Sequence, residues 1–174
     1  MIKNPSVFAA LIGVLGTLLG VTLGFFLNLF KVSGKLKIFV NELKIAYSER
    51  DSLGGVLSKD TLTPKSEYAT IIFEVDIYNS SSEYRTMREI KLMIVEKGNK
   101  SVIKIRDNST RRVAAYQIKV DDLKVITIAP KAIINLNLSG IVNENFKNLD
   151  NSEIFLQFKD YRQRNQVEKI KNYG

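Results

Sequence analysis

The sequence predicts an all-β fold, an antiparallel two-sheet β-sandwich, preceded by one N-terminal transmembrane α-helix. Two observations lead to this prediction. Of the 26 basic residues only Lys3 lies among the first 30 positions, so the other 25 basic and all 18 acidic residues give the last 144 positions a net charge of +7. After this start, apolar residues recur at every second position, which is the period of a strand. We therefore expect an anchor at residues 1–31 and a β-sandwich domain at residues 32–174.

The N-terminal segment is long enough to span a membrane. No charged side chain occurs between Asn4 and Phe30, and the 24 residues from Val7 onward would form a helix about 36 Å long, against a hydrocarbon core of about 30 Å. Asn4 is suited to cap this helix and Pro5 to occupy its first turn. A cleaved signal peptide would have a shorter apolar region, of about 7–15 residues, followed by small residues. The sequence therefore predicts an uncleaved, single-pass signal anchor in the lipid bilayer.

Small residues share one face of this helix. Six of them fall within an arc of about 100° when each residue advances by 100°. We call them the glycine stripe: Ala9, Gly13, Gly16, Thr17, Gly20 and Gly24. Such a smooth face lets a second helix approach closely in lipid, and that helix is either another copy of the chain or a different protein. The alternative is that glycine is simply common in membrane helices.

Basic residues next to the span predict its orientation. Lys3 precedes the span, whereas Lys31, Lys35, Lys37 and Lys44 follow it. Lysine and arginine are enriched on the cytoplasmic side of membrane helices. We therefore expect the C-terminal domain to lie in the cytoplasm.

Positive charge is the one chemical bias of the domain. Candidate contacts with an anionic lipid surface are Lys31, Lys35, Lys37, Arg162 and Arg164. The competing explanation is that basic residues on strand exteriors keep the domain soluble and block edge pairing. Nucleic acid is a less favoured partner, because the chain has no recognisable aromatic platform or binding motif.

The domain opens with a strand whose alternation changes phase. Apolar residues occupy even-numbered positions up to Val40 and odd-numbered positions from Leu43 to Tyr47. A slip of one residue in this pattern predicts a β-bulge near residues 41–42. Residues 49–67 contain Gly-Gly, Pro and several Ser and Thr, and are predicted to form a long loop.

Further short strands follow, separated by turn signals. We expect turns at residues 79–83 and 162–165, a two-residue hairpin turn at Gly98-Asn99, a break at Pro130 and a single helical segment at 143–151. A last short strand is expected through residues 167–170. In the strands before it, the apolar residues expected to face the core are Ile71, Phe73, Val75, Ile77, Ile90, Leu92, Ile94, Ile103, Ile105, Ile126, Ile128, Ile134, Leu136, Leu138, Ile154, Leu156 and Phe158.

Seven to nine such strands predict a β-sandwich, for which immunoglobulin-like connectivity is one option. An eight-stranded closed barrel is the alternative. The Cys and Trp residues that mark antibody domains are absent, since the chain contains neither residue type.

Composition limits the chemistry. With no His and no Cys, the chain has no imidazole base, thiolate nucleophile or ordinary zinc site, so we expect no metal and no cofactor. Asp121 and Asp122 are adjacent, so on a strand they would point to opposite faces rather than share a site, and Glu74 with Asp76 fits a solvated strand surface better than an active site. The sequence predicts a non-enzymatic interaction module with an unidentified protein partner, and its Ile, Lys and Asn content is typical of a low-GC bacterial or phage gene. The alternatives are a membrane-anchored enzyme without His or Cys chemistry, and an extracellular adhesion or wall-binding domain.

Overall fold

The computed structural model describes residues 5–32, 34–114, 117–143 and 146–170. These residues form one α-helix, eleven strands and a short 3-10 helix, the last spanning Phe146–Asn151. In chain order the elements are α1 (Pro5–Val32), β1 (Leu36–Arg50), β2 (Val56–Lys59), β3 (Tyr68–Asn79), β4 (Arg85–Glu96), β5 (Asn99–Lys104), β6 (Arg106–Ala114), β7 (Gln117–Asp122), β8 (Val125–Ile128), β9 (Ile133–Val142), β10 (Glu153–Lys159) and β11 (Asn165–Lys169).

The helix α1 coincides with the predicted span. Its segment Pro5–Asn28 is apolar and long enough to cross a membrane, and every residue of it is exposed within the part of the chain that the structure describes. Length and composition alone fit both a membrane span and an N-terminal signal sequence. The hydroxyl groups of Thr17 and Thr22 donate to the carbonyls of Gly13 and Leu18, at 2.8 Å and 2.5 Å, so both are satisfied inside the helix. The predicted cap, Asn4, lies outside the described residues.

The strands form two antiparallel sheets. The first has the order β2-β1-β3-β9-β6-β7, and the second has the order β11-β10-β4-β5 with β8 also paired to β4. The predicted two-sheet β-sandwich is therefore confirmed. The alternative of a closed barrel is wrong, because the strands form two separate ladders.

The core lies between the two sheets. Ile71, Phe73, Val75 and Ile77 of β3 are at most 1% exposed, and they share the odd-numbered face of the strand. Leu92, Ile154 and Leu156 are fully buried on the facing sheet. Because apolar residues occupy alternate positions of these strands, they share the face that is turned toward the other sheet and form one apolar layer.

The predicted bulge is confirmed. The register between β1 and β3 shifts between Val40 and Glu42, so Asn41 is the extra residue. The Asn41 amide donates to Asp76 Oδ2 of β3, at 2.9 Å. Beyond the bulge Leu43 packs on the core, as the change of phase requires.

The hairpin turn lies one residue earlier than predicted. Glu96 pairs with Asn99, so the two turn residues are Lys97 and Gly98 rather than Gly98 and Asn99. Both have positive φ, at 47° and 86°, which is the geometry of a type I′ turn. Glycine serves as the second residue of this turn, and the apolar pattern alone could not fix that register.

Residues 49–67 are more ordered than a long loop. Strand β1 continues to Arg50, and β2 folds back to pair with it. In the connecting turn, the carboxylate of Asp51 accepts from the backbone N–H of Leu53 and of Gly55, at 2.9 Å and 2.6 Å. A side-chain hydrogen bond of this kind stabilises a turn without any apolar pattern.

Strands β6 and β7 were not predicted individually, because their residues are mostly polar and lack alternation. They extend the first sheet beyond β9 through backbone pairing. The predicted helix at 143–151 is a 3-10 helix that begins at Phe146 and buries Leu149, while residues 144–145 lie outside the described part of the chain.

Candidate functional site

One end of the sandwich lies next to the C-terminus of α1. Here β1 begins, and its first residue, Leu36, pairs with Asn79 at the end of β3. Hydrogen bonds and ring contacts bring the loops 80–84, 129–132 and 160–164 to the same end. We call this end, including residues 34–36, the helix-proximal end.

The junction between α1 and the domain is fastened to the loop after β3. The backbone N–H of Lys35 donates to Ser80 Oγ at 2.8 Å, and the Lys35 carbonyl accepts from the Ser80 backbone N–H at 3.0 Å and from its hydroxyl at 2.7 Å. A Cβ on Gly34 would overlap the backbone of Ser80 and Ser81. Only glycine therefore lets the chain lie this close to the loop.

A buried polar network lies beneath this junction. Asn79 is fully buried, and its amide donates to the carbonyls of Glu83, Ile128 and Ala129 at 2.7–3.1 Å. The Asn79 carbonyl oxygen accepts from the backbone N–H of Ser81 at 3.0 Å and from its hydroxyl at 2.6 Å. One side chain therefore joins two loops, and buried groups satisfied in this way hold a single geometry.

The network extends to a buried cation. Arg85 is 6% exposed, and its guanidinium donates to Ser81 Oγ and to the Gly34 carbonyl, both at 3.1 Å. The same guanidinium lies 4.3 Å from the centre of the Tyr161 ring, and that of Arg162 lies 5.1 Å from it. Hydrogen bonding from Arg85, helped by the charges of both arginines, holds the pKa of the Tyr161 hydroxyl below its ordinary value although burial acts in the opposite sense.

Asp160 organises the loop between β10 and β11. Its Oδ1 accepts from the backbone N–H of Arg162 and of Arg164, at 2.8 Å and 3.0 Å, and its Oδ2 pairs with the Arg164 guanidinium at 2.9 Å. Burial acts to raise the pKa of Asp160, but the hydrogen bonds from Arg164 and Arg162 outweigh it, so the pKa lies below its ordinary value. The carboxylate is therefore ionised near neutral pH and holds both arginines at the surface.

Some of these groups, including Gly34, Arg85, Asp160 and Tyr161, line a cavity of about 480 Å³. Its charged lining residues are the cations Lys35, Arg85, Arg162 and Arg164 and the anions Asp160 and Glu168. Four positive and two negative charges give the lining a net charge of +2. We call this space the basic cavity.

The structure brings together three of the five basic residues predicted to contact an anionic surface. Lys35, Arg162 and Arg164 line the basic cavity. Lys37 is exposed on β1 and is not part of the lining, and the side chain of Lys31 lies outside the described residues.

Sequence reasoning missed the buried part of this site, Asn79, Ser81 and Arg85. A signal for the first two was present, because they continue the odd-numbered series of buried positions that ends at Ile77. Polar residues in phase with a buried stripe indicate an internal hydrogen-bond network rather than a solvated turn. No local signal indicates that Arg85 meets Tyr161, which lies 76 residues later in the chain.

The glycine stripe is open in the single chain. All six of its residues are exposed, and a Cβ built on Gly13, Gly16, Gly20 or Gly24 meets no atom within 4 Å outside the local helix. A second helix therefore has free access to it, and the predicted helix contact stays a prediction.

The carboxylate pairs considered as catalytic candidates make exposed cross-strand contacts. Asn135 donates to Glu74 at 2.7 Å and to Asp76 at 3.0 Å, and hydrogen bonds from Asn41 and Asn135 lower the pKa of Asp76. Asp121 pairs with Arg112 at 2.9 Å. Within the described residues, no group of three or more acidic side chains is placed to hold a metal ion.

Comparisons with solved structures return chains of low sequence identity to this one, including a β-sandwich protein. An uncharacterized β-sandwich protein from Clostridium difficile 630 has 16% identity, covers 80% of this chain and 88% of its own, and gives a TM-score of 0.39. The putative ApaA protein from Bordetella pertussis has 8% identity, covers 82% of this chain and 93% of its own, and gives a TM-score of 0.43. A conserved hypothetical protein from Bacillus anthracis has 13% identity, covers 79% of this chain and 88% of its own, and gives a TM-score of 0.36.

Sequence comparison gives a family. No curated protein matches the chain. The sequence profile of the YopI Ig-like domain matches residues 34–171. The match starts at Gly34, which lies against the backbone of Ser80 and Ser81, and extends through the sandwich. Because this match covers most of the sequence, the chain belongs to the family of YopI Ig-like domains.

Proposed function

We propose that this chain is a single-pass membrane protein whose Ig-like sandwich is a non-enzymatic interaction module held at the membrane surface. The contrast between the two parts of the chain carries this proposal. The segment Pro5–Asn28 is apolar and wholly uncovered, whereas the sandwich encloses its own core. An uncovered apolar helix of this length is stable in lipid and unfavourable in water.

The close junction supports retention of α1 rather than its removal as a signal sequence. Only residue 33 separates the end of α1 from Gly34, which packs directly on the sandwich. The apolar run is also longer than the apolar region of a cleaved signal peptide. The domain thus follows the proposed anchor after a single intervening residue.

Alkaline carbonate extraction of membranes tests this anchoring. We expect the full-length chain to remain in the membrane pellet. Replacing Leu15 and Leu19 with Arg should release it or prevent its insertion, because each charge at the centre of a span costs about 2.5–3.5 kcal/mol. Leu15→Ile is the matched control and should leave the chain in the pellet. A soluble wild-type product that begins near residue 33 would show that α1 is a signal sequence.

The orientation is proposed from the four lysines that follow the span against the one that precedes it. The chain contains no cysteine, so a single Ser52→Cys substitution in the exposed turn after β1 gives a specific label site. We expect a membrane-impermeant maleimide to label it only after cell lysis. Labelling on intact cells would support the alternative of an extracellular adhesion or wall-binding domain.

A non-enzymatic role is supported by the contacts of the acidic side chains. The pairs at Glu74 and Asp76 and at Asp121 face solvent and are engaged in cross-strand hydrogen bonds and ion pairs. The lowered pKa values of Asp76 and Asp160 keep these two carboxylates ionised near neutral pH, so neither is suited to act as a general acid. The polar groups of the helix-proximal end are instead arranged to hold loops and to present cations.

A further inference from the structure

We propose that the basic cavity binds the phosphate of an anionic lipid headgroup. The proposal rests on the proposed function, because it requires α1 to lie in the membrane. It assigns a ligand class to the helix-proximal end and adds the buried Arg85 to the surface lysines and arginines.

The position of the cavity agrees with the depth of lipid headgroups. Lys35 lies three residues after Val32, the last residue of α1, and an extended chain advances at most about 3.6 Å per residue. The cavity wall therefore lies within about 11 Å of the helix end. Headgroup layers add about 5–8 Å on each side of the hydrocarbon core, so a cavity wall within this distance of the helix end lies at the level of the headgroups or directly outside them. Hydrogen bonds between Lys35 and Ser80 keep the wall in this place.

The charges of the cavity are arranged for an anion. Asp160 is bound by Arg164 and by two backbone N–H groups, so its negative charge is locally compensated. Among the described residues, neither Lys35 nor Arg162 has an ion pair within 4.0 Å, and both line the cavity. Glu168 is the remaining acidic lining residue and leaves the net charge positive.

Arginine geometry favours a phosphate over a simple counter-ion. A guanidinium presents parallel N–H donors that match two oxygens of a phosphate. Arg162 is held by its contact with the Tyr161 ring and by the hydrogen bond from its backbone to Asp160. The buried charge of Arg85 acts through a medium of lower polarity than water, which strengthens its attraction for an anion. Several cations thus converge on a preformed space.

Native mass spectrometry of the full-length chain in non-ionic detergent tests the site. The probes are phosphatidylglycerol, phosphatidylcholine and inorganic phosphate, each titrated at equal concentrations. We expect wild type to bind phosphatidylglycerol at least tenfold more tightly than phosphatidylcholine. The double variant Lys35→Gln/Arg162→Gln should lose about tenfold or more in affinity for phosphatidylglycerol, the scale of two basic contacts with an anionic surface.

Lys91→Gln/Lys100→Gln is the matched control, because it removes two exposed charges that do not line the cavity. It should bind phosphatidylglycerol as wild type does, and both double variants should keep the wild-type melting temperature.

Equal binding of phosphatidylglycerol by wild type and by the Lys35/Arg162 variant would overturn the proposal, as would equal binding of the two lipids by wild type. Displacement of phosphatidylglycerol by inorganic phosphate at equal concentration would identify a soluble phosphate as the ligand and overturn the lipid assignment. If the proposed function fails instead, the wild-type chain leaves the membrane pellet in the carbonate extraction, which does not depend on lipid binding by the cavity.

Discussion

At the scale of single residues, the helix-proximal end depends on one residue that has no space for a side chain and on another whose hydrogen bonds no neighbouring residue can replace. Gly34 lies against the backbone of Ser80 and Ser81, and Asn79 supplies hydrogen bonds to carbonyls on two loops. Neither function is transferable to a neighbouring position. This end of the domain should therefore respond to small substitutions more strongly than its exposed surface does.

Gly34→Ala should destabilise the domain by about 1–3 kcal/mol, because the added methyl group must displace the backbone of the 80–81 loop. Thermal unfolding followed by circular dichroism measures the loss. Gly140→Ala is the comparison, since its Cβ would meet mainly the ends of the Ile103 and Leu92 side chains, which can rotate. A loss at Gly140 equal to or larger than that at Gly34 would contradict the rigid junction.

Asp160→Asn should lower stability by about 1–2 kcal/mol at pH 7, the scale of a charge-assisted hydrogen bond between partly exposed groups. The folded-state pKa of Asp160 is depressed, so its contribution is fully present above the unfolded pKa and is lost as pH falls through the lower folded pKa. The stability difference between wild type and variant should therefore shrink below about pH 4. Urea unfolding at pH 7 and at pH 3 measures it, and an unchanged difference would show that ionisation of Asp160 is not its source.

At the scale of elements, α1 is exposed from Pro5 to Asn28, whereas β1 directs apolar residues toward a core. The helix presents its glycine stripe without any neighbour, whereas β1 uses a bulge at Asn41 to keep both halves of its apolar pattern toward the core. The stripe therefore contributes nothing to the stability of the single chain. We propose that it serves helix association within the membrane.

Gly20→Leu should weaken self-association of α1 by roughly 1 kcal/mol, or about fivefold, because a bulky side chain is placed at the centre of the stripe. The helix itself should not suffer, since leucine is the better helix former and Gly20 has open space around it. Energy transfer between labelled chains in vesicles measures association. Leu15→Ile, on the opposite face, should change nothing. Equal association of wild type and Gly20→Leu would show that the stripe is not a contact between copies.

At the scale of the whole molecule, the core belongs entirely to the sandwich. Among the described residues, the buried apolar side chains extend from Tyr47 to Ile170, and none belongs to α1. A fragment of residues 33–174 should therefore fold alone, with a β-type circular dichroism spectrum and one cooperative unfolding transition. Phe73→Ala should lower its stability by about 3–5 kcal/mol while keeping the spectrum β-type. An unfolded or helical fragment would show that the sandwich needs the anchor.

Local patterns in the sequence were sufficient for the helix, the main strands, the bulge at Asn41 and the apolar face of β3. Each of these depends on residues that are neighbours in the chain, and alternation or an uncharged run records which side meets water. The tertiary structure alone decided the polar strands β6 and β7, the pairing of β2, and the meeting of Arg85 with Tyr161 across 76 positions. Backbone pairing at a sheet edge needs no apolar pattern, and the burial of a polar side chain depends on partners supplied by distant loops. The apolar helix and the sandwich were therefore predictable, whereas the basic cavity became visible only when residues 34–36, Arg85 and the loop at residues 160–164 were brought together.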